Sequence, residues 1–288
     1  MNKKIVLIWN VDEKYEYAFL SVLKQLGRGK EDFVIIDEKD EELYRKVEEA
    51  NPNVIVCFGE GALNRVTNKS SIEKWRGSVI ESHPGLMEKV YKVIATYEPS
   101  LLVRGGRTKD GVPVRPIILI DLKRAFKQGD YPEIRRKERE RIIQPSYLQV
   151  IGELNYIRKN KPRIMIDIET EKGRISCIGF AYSAVKAICV PFIGVDGEEY
   201  FRGQELNNVN ELIREILEDE DIEKAGQNFV YDMAWLERAY ECKVRNYKFD
   251  NMVAIQTVFP EFPMSLAFQT SIYTDIVIIK MMGKNIGK

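Results

Sequence analysis

The chain has 288 residues, 44% of them apolar and 31% charged, with a formal net charge of zero. That length supports two domains of ordinary size, and the neutral balance excludes a uniformly basic coat, so any nucleic-acid contact must come from local patches. No run of 18 apolar residues occurs, so no membrane span is expected; a cytoplasmic setting is expected from the cysteine usage.

Met1–Trp9 starts with lysines and a short apolar stretch, but Asn10, Asp12 and Glu13 follow at once, so a first core strand is expected rather than a signal peptide. Strand and helix signals then alternate. Strands are expected over Lys4–Trp9, Phe33–Ile36, Val54–Phe58, Val90–Thr96 and Pro116–Ile120. Helices are expected over Tyr15–Leu26, Asp40–Ala50, from Gly61 to Val66, and over Asp121–Gln128. Such alternation predicts a largely parallel sheet with helices on its faces.

Gly129-Asp130-Tyr131-Pro132 breaks the pattern, and the mostly basic run Arg135–Arg141 precedes Pro145. The boundaries expected are a first α/β domain at 1–128, a charged linker at 129–146 and a second domain at 147–288. The basic run is either a solvated helical linker or an approach to a phosphate backbone. In the second domain, strands are expected over Arg163–Ile168, Ile175–Tyr182, Ala187–Phe192 and Glu223–Gly226, with helices over Val209–Leu217 and Tyr231–Tyr240. The order describes a mixed sheet. The cysteines Cys57, Cys177, Cys189 and Cys242 form no CxxC pair and read as buried thiols of a reducing compartment.

Asp167 and Glu169 end an apolar strand. Residues two apart on a strand share a face, roughly 6.5–7 Å apart along the chain. Asp232, in the first turn of a helix about sixty residues later, would add a third carboxylate. Oxygen donors of this kind suit hard divalent cations, and a pair of such ions suits phosphodiester hydrolysis. The structural alternative is two polar residues leaving a sheet and an acid favoured at a helix start.

Asp167-Ile168-Glu169-Thr170, followed by Gly226-Gln227-Asn228-Phe229-Val230-Tyr231-Asp232, resembles the first two motifs of DEDD-type 3'–5' exonucleases, specifically the proofreading domain of family A, phage-type DNA polymerases. Asp250–Ala254, Phe262–Leu266 and Ser271–Thr274 continue the resemblance, which covers about residues 160–275. It implies an RNase H-like mixed-sheet exonuclease domain acting on a single-stranded DNA 3' end. Asp167, Glu169 and Asp232 would be catalytic and hold two divalent cations, Mg²⁺ or Mn²⁺. Asn228 and Thr170 would bind substrate, and Phe229 would border the bases. The family's third motif, a Tyr or His with an Asp four residues on, has no counterpart after Tyr273, and Asp275 stands too close to serve. The apolar Val277–Lys284 stretch, readable in another frame as a polar sequence, gives the expectation of a frameshifted or truncated polymerase-like reading frame whose activity is weak or lost. The alternative is a non-catalytic nucleic-acid- or protein-binding module; a polymerase partner is left open.

In the first domain, Val54–Leu63, Ile72–Gly77 and Ala95–Arg104 resemble, in order, the uracil-DNA glycosylase superfamily, which implies a glycosylase-like parallel-sheet α/β domain. Glu98 stands where that family commonly has His, and its water-activating first motif has no match in Ile8–Tyr17. The expectation is a glycosylase-like fold without base excision, keeping DNA contact through Lys74, Arg76, Arg104 and Arg107. His83 is expected in a turn.

Overall fold

The computed structural model describes residues 5–274. The readings that rest on Asp275 and on Val277–Lys284 lie outside them. Two compact units result: the first takes the chain up to Arg136 and again from Phe259, the second is Lys137–Val258. The second domain expected from sequence began ten residues later and ran to the end of the chain; here Phe259 onward belongs with the first unit.

The first unit runs β1 (Ile5–Trp9), α1 (Glu13–Gln25), β2 (Val34–Asp37), α2 (Leu43–Ala50), β3 (Val54–Phe58), α3 (Gly59–Thr67), α4 (Ile72–Trp75), β4 (Val79–Glu81), β5 (Lys92–Thr96), α5 (Ser100–Val103) and α6 (Val114–Gln128). Its sheet has the order β2-β1-β3-β5-β4, parallel throughout except for β4. All five residues of β3 are buried, as a parallel strand covered on both faces requires. Helix α6 corrects the expectation of a strand at Pro116–Ile120. Pro116 sits in its first turn, where no N–H is needed, and Val114, Ile117, Ile118, Asp121, Leu122 and Ala125 supply a buried stripe at helical spacing.

The second unit runs β6 (Glu140–Ile142), α7 (Tyr147–Asn160), β7 (Ile164–Glu171), β8 (Arg174–Ala181), β9 (Lys186–Pro191), α8 (Gln204–Glu218), β10 (Lys224–Gly226), α9 (Phe229–Tyr240), β11 (Tyr247–Asp250) and α10 (Asn251–Val258). Sheet order is β11-β10-β7-β8-β9-β6: β7, β8 and β9 are antiparallel, while β10, β11 and β6 join in parallel. The basic run is thus not helical; its end is the edge strand β6, where Glu140 pairs with Lys186 at 3.6 Å. Ser146 caps α7 through a reciprocal pair of hydrogen bonds with Gln149. Val150, Leu154 and Ile157 of α7 and Val209, Ile213, Ile216 and Leu217 of α8 cover one sheet face, packing on Ile164, Ile166, Ile168, Ile178 and Phe180. That burial leaves the opposite face of β7 and β8 for polar chemistry.

Helix α11 (Leu266–Tyr273) belongs to the first unit. Arg124 donates to the carbonyls of Ser271 at 2.8 Å and Ile272 at 2.6 Å. Arg76 is 3% exposed: it pairs with fully buried Asp121 at 3.3 Å, donates to the Ser271 hydroxyl and lies over Tyr97 and Phe268. Gly77, at φ +72°, passes so close to Ser271 that a Cβ there would overlap its carbonyl oxygen.

Candidate metal centre

Strand β7 alternates strictly up to Glu169. Ile164, Ile166 and Ile168 are buried, whereas Asp167 and Glu169 face solvent on the other side. The expected period of two therefore places both carboxylates on one face, at the strand's C-terminal half. The register of β7 against β8 shifts between Glu169 and Thr170, a bulge where the Ser176 hydroxyl donates to the Glu169 carbonyl at 3.0 Å.

Asp232 arrives on α9, the helix that follows the neighbouring strand β10. Backbone N–H groups of β7 on its β10 side find partners only as far as β10 extends: Ile164 donates to the Glu223 carbonyl at 2.8 Å, and pairing stops at Met165 opposite Ala225. After Gly226 the chain turns through Asn228, left-handed at φ 54°, into α9. There Asp232, 4% exposed, accepts the Ile168 N–H at 2.9 Å. A carboxylate oxygen thus replaces the missing strand partner. Gly226 permits this turn, since a Cβ would come within 2.5 Å of the Phe229 ring.

Asp250 holds the turn from below. Its carboxylate accepts the N–H groups of Asn228 at 3.1 Å, Phe229 at 2.8 Å and Met252 at 2.7 Å, and the Tyr247 hydroxyl at 2.9 Å. It caps α9 and α10 together. Burial alone would raise its pKa, but these donors hold it below the ordinary carboxylate value. Two of these contacts, to Asn228 and Phe229, lie more than twenty residues away in sequence, which no local pattern announces.

The three acids influence one another. Burial, then the charges of Asp232 and Glu169, push the Asp167 pKa up to about 6. Open surface beside Asp167 screens part of that effect. Asp232 is likewise raised, by burial first and by Asp250 and Glu169 further, against the Ile168 hydrogen bond that favours its charged form. Burial and the neighbouring anions together disfavour the charged carboxylates, and a cation placed there would favour them. Among the described residues no three acidic, histidine or cysteine side chains enclose a ready-made cage. Magnesium-type ions do not require one, keeping waters and binding through one or two carboxylates plus substrate phosphates. The all-oxygen donor set and the crowded charge fit such a cation.

Of the other expected residues, Thr170 brings its hydroxyl within 3.3 Å of the Tyr231 hydroxyl, next to Asp232 on α9. Asn228 occupies the entry to that helix one turn before Asp232. Phe229 is fully buried and packs on Tyr247 with ring centroids 5.2 Å apart, so it is a core residue and does not border bases. A cleft of 620 Å³ in the same unit, lined by Arg174, Phe192, Arg214 and Tyr240 among others, contains none of the three carboxylates. The candidate site is the open edge of β7 and α9. In the first unit, Arg76 is consumed in its buried pair and cannot contact DNA; Arg104 donates to the Tyr15 hydroxyl at 2.9 Å and Arg107 to the Gly111 carbonyl at 2.6 Å. Among the described residues no helix is long and apolar enough to cross a membrane.

Residues 149–280 match the model of a 3'-5' exonuclease family. No curated protein matches the chain. Solved structures that resemble it include an EXD2 exonuclease domain soaked in Mn and Mg, 18% identical over 41% of this chain and 60% of that one, with a TM-score of 0.30. The Trypanosoma brucei RNase D:GMP complex is 15% identical over 41% and 35% of the two chains, TM-score 0.32, and the catalytic core of RRP6 from Trypanosoma brucei 16% identical over 47% and 34%, TM-score 0.36. The chain thus spans under two thirds of each. The family match includes Asp167, Glu169 and Asp232, and the chain carries within it an exonuclease-like domain related to 3'-5' exonucleases.

Proposed function

We propose that the second unit is a divalent-cation-dependent nuclease that removes nucleotides from the 3' end of a single nucleic-acid strand. The observation that supports the reading is that Asp167 and Glu169 share one face of β7 while Asp232 on α9 accepts the N–H of Ile168, which lies between them in the chain, all inside the residues matched to a 3'-5' exonuclease family. Two cations, Mg²⁺ or Mn²⁺, would supply an activated water and neutralise charge on the phosphate and the departing 3' oxygen. Asp167 and Glu169 would hold them from the strand and Asp232 from the helix. Asp232 also ties α9 to Ile168, which fixes the helix-borne carboxylate against the strand-borne pair. Thr170, whose hydroxyl lies 3.3 Å from that of Tyr231, and Asn228, at the entry to α9, would orient the terminal nucleotide.

The test is a 5'-labelled single strand, as DNA and as RNA, incubated with protein and Mn²⁺ or Mg²⁺ beside an Asp167→Ala control. Stepwise shortening that vanishes in the control is the expected result. A second reading, a binding module without turnover, draws on the absence of a closed three-ligand cage among the described residues; it predicts retention of the strand with no shortening. The finer kinship, to a phage-type polymerase proofreading domain preceded by a glycosylase-like domain, rests on the motif resemblances alone.

A further inference from the structure

The sheet face that carries the acids continues across β8 and β9. Register places Glu169 opposite Cys177 and Cys177 opposite Pro191. The next row on that face is Asp167, Gly179 and Cys189. Ile178, Phe180, Ile188 and Val190 turn the other way, into the core. Cys177 and Cys189 are therefore diagonal neighbours on adjacent antiparallel strands, beside the acidic pair. Both are free and partly exposed, contrary to the expectation of four buried thiols; Cys57 and Cys242 are buried.

Gly179 makes the approach possible. It stands next to Cys189 in one row and two residues from Cys177 along β8. Only the Asp167 carbonyl oxygen lies near the position of its absent Cβ, at 3.6 Å, so the surface between the two thiols is open. A disulfide needs Cα atoms within about 6.8 Å, whereas diagonal neighbours stand roughly 7–8 Å apart, so closure calls for a small shear of β9 along β8.

We infer that Cys177 and Cys189 are a modification site that closes into a reversible intramolecular disulfide on reaction with small-molecule disulfides. One cysteine sulfur attacks a sulfur of the oxidant, whose S–S bond breaks and releases one thiolate. The second cysteine sulfur then attacks the protein sulfur of the mixed disulfide and expels the other thiolate. The chain gives up two S–H protons and two electrons, and the oxidant leaves as two thiols. This chemistry holds whether or not the acidic cluster cleaves nucleic acid.

Oxidised glutathione tests it on the full chain. Reduced protein is equilibrated in glutathione redox buffers, quenched by acid, alkylated and mapped by mass spectrometry. The expected product links the Cys177 and Cys189 peptides, is lighter by two hydrogens and is reversed by dithiothreitol. Cys177→Ser and Cys189→Ser should each give a single glutathione adduct and no bridge. Should either variant fail to fold, alkylating folded, reduced wild type with iodoacetamide at these two thiols must abolish bridging on later oxidation. The inference is overturned if wild type keeps both thiols free, collects separate adducts on each, or bridges through other cysteines or between chains.

Discussion

Replacing Asp250 with alanine removes the acceptor on which Asn228, Phe229, Met252 and Tyr247 converge, at 2.7–3.1 Å, from a side chain 7% exposed. A buried donor stripped of its partner costs roughly 1–3 kcal/mol, and helix-end donors that water can reach cost less. Summed with that discount, Asp250→Ala should destabilise the second unit by about 3–4 kcal/mol. With a urea slope of about 2 kcal/mol/M, the midpoint of its transition should fall by roughly 1.5–2 M. Asp250→Asn keeps the shape but sets an amide donor against backbone N–H groups, so it should recover little. The pH dependence has a defined sign. Since the folded pKa lies below the unfolded one, this stabilisation is fully present above the ordinary carboxylate value of about 3.9 and is lost as pH falls through the folded value. Urea titrations followed by circular dichroism at pH 7 and pH 3 make the measurement. A variant that unfolds with wild type at pH 7, or a wild-type/variant gap that persists undiminished at pH 3, would refute the argument.

Asp167→Asn should abolish strand shortening by a factor of about 10³ or more while raising the thermal midpoint of metal-free protein at pH 7. Its raised pKa means that the carboxyl stabilises the fold below its unfolded pKa and loses that benefit as pH rises through about 6, so the variant's advantage should vanish near pH 4. Calorimetry at both pH values checks this, and Mn²⁺ should raise the melting temperature of wild type alone. Arg76→Ala strands Asp121, which is fully buried, and should cost the first unit about 3–5 kcal/mol. Replacing both by Met and Leu should restore much of it, as denaturant melts would show.

The parts of the fold legible in sequence are those whose signal is local. Strand β3 matches its expected bounds because an unbroken apolar run bounded by turn residues admits one reading. Asp167 and Glu169 fall on one face because alternation holds up to the bulge, and Asp232 sits in a first helical turn as expected. Where signals depended on partners, reading failed. Pro116–Ile120 has strand-like composition, and only its neighbours' spacing makes it helix. Strand β6 has no apolar pattern and exists through pairing with β9. Arg76 read as a surface cation because nothing near it in sequence announces Asp121, forty-five residues away. Asp250 escaped for the same reason.

The order of the two units along the chain bears on how the protein comes off the ribosome. Residues of the second unit are contiguous, whereas the first waits for α11, which Arg76 and Arg124 grip. During synthesis the second unit can complete its core while the earlier-made unit still lacks a segment and holds Arg76 and Arg124 short of their partners. The usual amino-terminal-first sequence of folding is thus reversed for the final step. Of the two units, the one begun first is the one closed last.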